Sequence, residues 1–145
     1  MTEILMYGIV GDSWDGLDAN TLVPMISEGD DDLDVRINSP GGYVMEGLAI
    51  YNAIIREQKK GRKVTTHIDG LAASMASVIA MAGEEIIIAE NALIMIHNPC
   101  DWACGDANDC HNIAQCNRAS AECSTKISDA IKGSSSSKLQ NICMA

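Results

Sequence analysis

The 145-residue sequence contains no phenylalanine, and aromatic residues make up only 3% of it. An aromatic core is excluded, so burial must come from Ile, Leu, Val, Met and Ala within an apolar fraction of 47%. Basic residues are scarce: 10 Lys and Arg stand against 20 Asp and Glu, a formal net charge of −10. That argues against nucleic-acid binding, which needs a basic footprint, and equally against an anionic membrane surface. No apolar run approaches the length of a transmembrane helix, and Met1-Thr2-Glu3 lacks the basic region of a signal peptide. A cytoplasmic location is the expectation. The six cysteines, Cys100 to Cys143, contain no Cys-x2-Cys pair. His111 follows Cys110, but the spacing is poor for a metal cluster, and the cysteines read as reduced, small apolar residues. No cofactor or metal is expected. No G-x-x-x-x-G-K-[ST] run occurs, so any use of ATP would fall to a partner. The acidic run Glu28-Gly29-Asp30-Asp31-Asp32 lacks EF-hand spacing and reads as a solvated connection.

What is present is a regular alternation of two periodicities. The apolar run over 3–10 predicts a buried strand. A helix over 19–27 follows, capped by Asp18 or Asn20, although Pro24 inside it argues against it. Residues 34–38 alternate with period two, as a strand does. Val44, Leu48, Tyr51 and Ile55 mark an amphipathic helix over 43–60 that stops at Gly61. A β-branched strand over 63–69, a short buried helix over 74–82, and strands over 85–89 and 92–96 come next. A longer, polar helix is predicted over 105–132, followed by the flexible link Gly133-Ser134-Ser135-Ser136-Ser137. The 12 residues after Gly133 are too few for another packed unit. This order predicts one α/β domain with a mostly parallel sheet, whose chemistry gathers at the strands' carboxyl ends.

Three motifs fall at such ends: Ser39-Pro40-Gly41-Gly42, the small-residue run from Gly70 to Ser77, and Met95-Ile96-His97-Asn98-Pro99. Ser74 can be a helix cap or a nucleophile, and Ser77 offers the same hydroxyl. The N–H of Met75 can help hold a developing oxyanion beside Ser74. Gly41 and Gly42 can form a tight turn. They can also bring free N–H groups against a substrate, giving a second oxyanion donor and pairing with a peptide main chain. His97 is a candidate base, with His67 and His111 as rivals.

These motifs, in this order, resemble the Clp peptidase family. The segments Gly8-Ile9-Val10-Gly11-Asp12-Ser13-Trp14 and Gly47-Leu48-Ala49-Ile50-Tyr51-Asn52-Ala53 resemble its phage and prophage branch, the prohead or head-maturation proteases. The resemblance implies a ClpP/crotonase-like fold of repeated ββα units with a protruding handle helix, here 105–132. It implies a serine endopeptidase with Ser74 as nucleophile, His97 as base, and the Gly41 and Met75 N–H groups as oxyanion donors. It further implies a ring-shaped homo-oligomer acting on protein or peptide substrates, with an unfoldase ATPase or capsid proteins as partners. In the family the triad aspartate follows the handle helix. Here no aspartate follows Asp129, and Asp101, Asp106 and Asp129 match no motif. The expectation is therefore a single domain over 1–145, truncated at its C-terminus. A catalytically silent oligomeric scaffold is the alternative that the absent aspartate favours. The crotonase side of the superfamily, which acts on acyl-CoA thioesters, is disfavoured by Ser74 and His97.

Overall fold

The computed structural model of the chain describes residues 1–97 and the strand Ile142–Met144. The expected helix over 105–132, the link after it, His111, the cysteines before Cys143, and Asp101, Asp106 and Asp129 lie outside the described residues.

Strands β1 (Thr2–Tyr7), β2 (Leu33–Ser39) and β3 (Val64–Ala73) lie side by side, each parallel to the next. Parallel neighbours cannot be joined by a tight turn. Helix α1 (Ala19–Ser27) makes the first crossover and α2 (Val44–Lys59) the second. After the short helix α3 (Met75–Ala80), β4 (Glu85–Ile88) and β5 (Leu93–Ile96) both pair with β3. They take successive stretches of it: β4 runs along residues 65–68 and β5 along 71–73. All pairings among the described strands are parallel, as expected of the α/β class.

Period-two burial sets the faces. In β2, Leu33, Val35, Ile37 and Ser39 point inward, between the less buried Asp34, Arg36 and Asn38. The helices cover this inner face, and Ile4, Met6, Ile50, Ile54, Ile68 and Ile79 are among its fully buried side chains. On the other face, the Tyr7 hydroxyl (2.7 Å) and the Arg36 Nε (2.8 Å) both donate to Asp69. Burial, the largest single influence, pushes the Asp69 carboxyl up, but the Tyr7 and Arg36 hydrogen bonds together hold it below its ordinary value.

Helix α1 forms over the residues the sequence predicts and runs through Pro24, the local signal against it. Asp18 caps it by accepting the Thr21 N–H at 3.1 Å, and Leu22 and Ile26 bury against the core. Packing outweighs the one lost backbone bond. At the far end of α2 a buried ion cluster ties three segments together. Glu57 accepts from Lys60 (2.8 Å) and Arg62 (3.3 Å). Arg62 also donates to the backbone carbonyls of Ile26 and Asp31, each at 2.6 Å.

Two strands differ in length from the sequence reading. β1 stops at Tyr7, because Gly8 turns the chain with φ 130°, and Val10 instead bridges Gly42. β3 continues four residues beyond Asp69. Its register with β2 shifts between Ile37 and Ser39, and there the Asn38 side chain accepts the Leu71 N–H at 3.1 Å. A Cβ on Gly70 would stand 2.7 Å from that Asn38 oxygen, so glycine lets the amide replace a missing ladder bond. The C-terminal segment corrects the sequence reading in one respect. Ile142–Met144 forms a sixth strand, β6, parallel to β5. Three residues suffice for this because β5 supplies the ladder partner.

Candidate active site

The register pairs Ala73 of β3 with Met95 of β5, so the residues leaving these strands emerge at one end of the sheet. Ser74 leaves β3 and His97 leaves β5. The Ser74 N–H donates to the Met95 carbonyl at 2.9 Å, which extends the ladder by one bond past the end of β3.

Ser74 then departs from regular geometry, with φ 53° and ψ −122°, and is the one non-glycine residue at positive φ among those described. Such a conformation costs about 1–3 kcal/mol and persists only where the surroundings impose it. Its side chain makes no capping hydrogen bond to α3. Instead the Ser74 Oγ lies 2.8 Å from His97 Nε2, which is hydrogen-bond distance for a nucleophile and its base. The strain aims the hydroxyl away from the helix it precedes.

Gly41 reaches the same place from β2. It has φ 94°, and a Cβ on it would stand 2.6 Å from the Ala73 carbonyl, 2.8 Å from Ser74 Cβ and 2.9 Å from the Met75 nitrogen. The backbones of Gly41 and Met75 therefore abut beside Ser74. The Gly41 N–H is not free, as the sequence reading expected, but donates to the buried Ser39 Oγ at 3.1 Å. Met75 is the first residue of α3, where an N–H has no intrahelical acceptor. Its side chain lies directly over Gly47 of α2, filling the space a Cβ would need. Gly42 forms the bridge with Val10: Val10 N–H donates to the Gly41 carbonyl and Tyr43 N–H to the Val10 carbonyl, both at 2.9 Å. By strand alternation, the N–H and C=O of Gly42 itself face the opposite side.

A model of the Clp protease family matches residues 4–143. The chain belongs to the Clp protease family. It is 39% identical over 108 residues to the ATP-dependent Clp protease proteolytic subunit of Carsonella ruddii (strain PV), covering 73% of this chain and 54% of that one. It is 41% identical over 100 residues to the protein of the same description from Chara vulgaris, covering 63% of this chain and 44% of that one. The chain thus spans about half the length of the curated relatives it matches.

Within this member of the Clp protease family the rivals among the described residues, Ser77 and His67, are otherwise engaged. Ser77 is turned back on its own chain, its Oγ donating to the Ser74 carbonyl at 2.6 Å. His67 lies within β3, opposite Arg36 of β2 and Ile87 of β4, with Asp34 3.5 Å away. It is seven residues before Ser74, about 20 Å along the strand. Sequence reasoning did not assign roles to Asn38 and Ser39, the last two residues of β2 before Pro40. Short polar side chains at a strand end, ahead of a proline, are the signal for side-chain-to-backbone bonds of this kind.

Proposed function

We propose that the chain is a serine endopeptidase of Clp type. The Ser74 Oγ attacks a peptide carbonyl while His97 Nε2 takes its proton. The tetrahedral oxyanion accepts from the Met75 N–H, and from the Gly41 N–H once that group exchanges its bond to the Ser39 Oγ for the substrate. His97 returns the proton to the leaving amine, and water, activated by the same imidazole, hydrolyses the acyl-Ser74 ester. The 2.8 Å contact between Ser74 Oγ and His97 Nε2 carries the reading, because it is built on a strained backbone that a plain helix cap does not need. An extended substrate pairs with the outward N–H and C=O of Gly42, adding a strand beside residues 41–43.

The finer assignments rest on resemblance. Ring-forming copies of the chain enclose the site in the cytoplasm, and an unfoldase ATPase or capsid proteins act as partners. The N-terminal motifs favour the prohead-protease branch and hence a capsid or scaffold protein as substrate. The direct experiment is labelling of the full chain with a fluorophosphonate. Labelling that Ser74→Ala abolishes and His97→Ala suppresses supports the peptidase. A chain that folds but takes no Ser74-dependent label is a silent scaffold instead.

A further inference from the structure

We infer that Ser77 is a positioning residue of the oxyanion site, holding the Ser74–Met75 peptide so that the Met75 N–H points at the reacting carbonyl. The inference rests on the peptidase reading and adds a residue to it. A peptide unit is planar and trans, so its C=O and N–H point in opposite directions and turn together. Whatever anchors the Ser74 carbonyl therefore aims the Met75 N–H. Two donors converge on that carbonyl, the Ser77 N–H at 3.0 Å and the Ser77 Oγ at 2.6 Å. The anchor is needed because Ser74 stands at φ 53° and ψ −122°, and a relaxed backbone would swing this peptide plane away.

The setting suits an anchor. Ser77 is 2% exposed, so neither water nor a competing group replaces the bond. Hydrogen bonds accepted by a peptide carbonyl also polarise the unit and strengthen its N–H as a donor. Ser77 itself takes no direct part in the chemistry. A hydroxyl at an otherwise apolar position of α3, among Ala76, Val78, Ile79 and Ala80, is what packing alone would not select.

The test uses the full chain with Ser77→Ala, Ser77→Cys and Ser77→Thr. Alanine is the better helix former, so a structural role alone predicts an Ala variant of equal or higher thermal stability with unchanged kinetics. The positioning role predicts that Ser77→Ala lowers kcat by about 10-fold, a fraction of what removing an oxyanion donor costs, with KM unchanged. Affinity for a peptide boronate, which mimics the tetrahedral state, falls by the same factor. Ser77→Cys, a weak donor of similar size, behaves like Ala, and Ser77→Thr restores most of the rate. Should Ser77→Ala fail to fold, the Cys and Thr pair makes the same comparison. Ser74-dependent labelling with wild-type kcat and boronate affinity in the Ala or Cys variant overturns the inference alone. So does a loss seen only in KM. Absence of Ser74-dependent labelling in the wild-type chain overturns the inference and the peptidase reading together.

Discussion

Gly41 and Gly61 form a matched pair for testing how the site is built. Their φ values are 94° and 96°, so both stand where an L-residue is strained. That strain is about 1–2 kcal/mol for an L-residue in the left-handed region. The surroundings differ completely. Around Gly61 nothing lies within 4 Å of the added Cβ, whereas at Gly41 it would stand 2.6–2.9 Å from the Ala73 carbonyl, Ser74 Cβ and the Met75 nitrogen. Ordinary contact begins at 3.4 Å, so Gly41→Ala must push the two backbones apart by between half an ångström and one ångström. Displacement of that size at a reacting centre costs about 10²-fold in rate, and losing an oxyanion donor costs about 10²–10³-fold. The expected result is a Gly41→Ala chain whose kcat and fluorophosphonate labelling rate fall at least about 100-fold. Gly61→Ala should keep full activity and lose only the backbone term, about 1–2 kcal/mol. Peptide hydrolysis, probe labelling and thermal unfolding of the two variants supply the comparison. Equal activity in both variants would refute the claim that Gly41 is a wall and donor of the site.

Two further predictions concern the support beneath it. Gly47→Ala raises intrinsic helix propensity by about 1 kcal/mol, yet its Cβ would occupy the space of the Met75 side chain. Overpacking of this kind costs about 1–3 kcal/mol, so the variant should show a lower Tm and slower labelling, where propensity alone predicts a higher Tm. Glu57→Gln leaves the Arg62 guanidinium, whose side chain is 4% exposed, without its carboxylate and should cost about 3 kcal/mol in urea unfolding. The Lys60 hydrogen bond, and after it that of Arg62, holds the Glu57 carboxyl below its ordinary value against the opposing effect of burial. A depressed carboxylate stabilises fully above its unfolded value of about 4.3 and loses that contribution as pH falls through the folded one. The acid limb of the wild-type stability profile should therefore be steeper than that of Glu57→Gln, and parallel limbs would remove this cluster from the account.

Sequence patterns made the parallel α/β order legible because each strand and helix carries its own periodicity. The Val44, Leu48, Tyr51 and Ile55 stripe and the alternation from Leu33 to Ser39 needed no tertiary context. Ser74 and His97 were legible as candidates because both follow apolar runs at strand ends. Their mutual distance was not, since it depends on β5 pairing with the second half of β3 rather than on anything within either segment. The extension of β3 to Ala73 was hidden for a similar reason. Asn38, on another strand, supplies the bond that keeps Gly70 and Leu71 in the sheet. Pro24 in α1 showed the converse, a local signal overruled by the burial of Leu22 and Ile26. Ser77 was visible only as a second hydroxyl, because the carbonyl it grips is defined by the unusual dihedrals of Ser74.

The division of β3 between two partners makes the sheet a gauge of its own assembly. Ser74 and His97 meet only when β5 docks on residues 71–73 in the register that sets Ala73 beside Met95. A slip of one residue along β5 would carry the imidazole about 3 Å along the strand and turn it to the other face. The strain at Ser74 is written into β3 and α3, but His97 arrives on a later strand joined to β3 by only three register pairs. A chain with every local element formed and this last pairing wrong would look folded by its helix content and take no label. On the proposed peptidase reading, probe labelling thus counts correctly registered sheets, one molecule at a time.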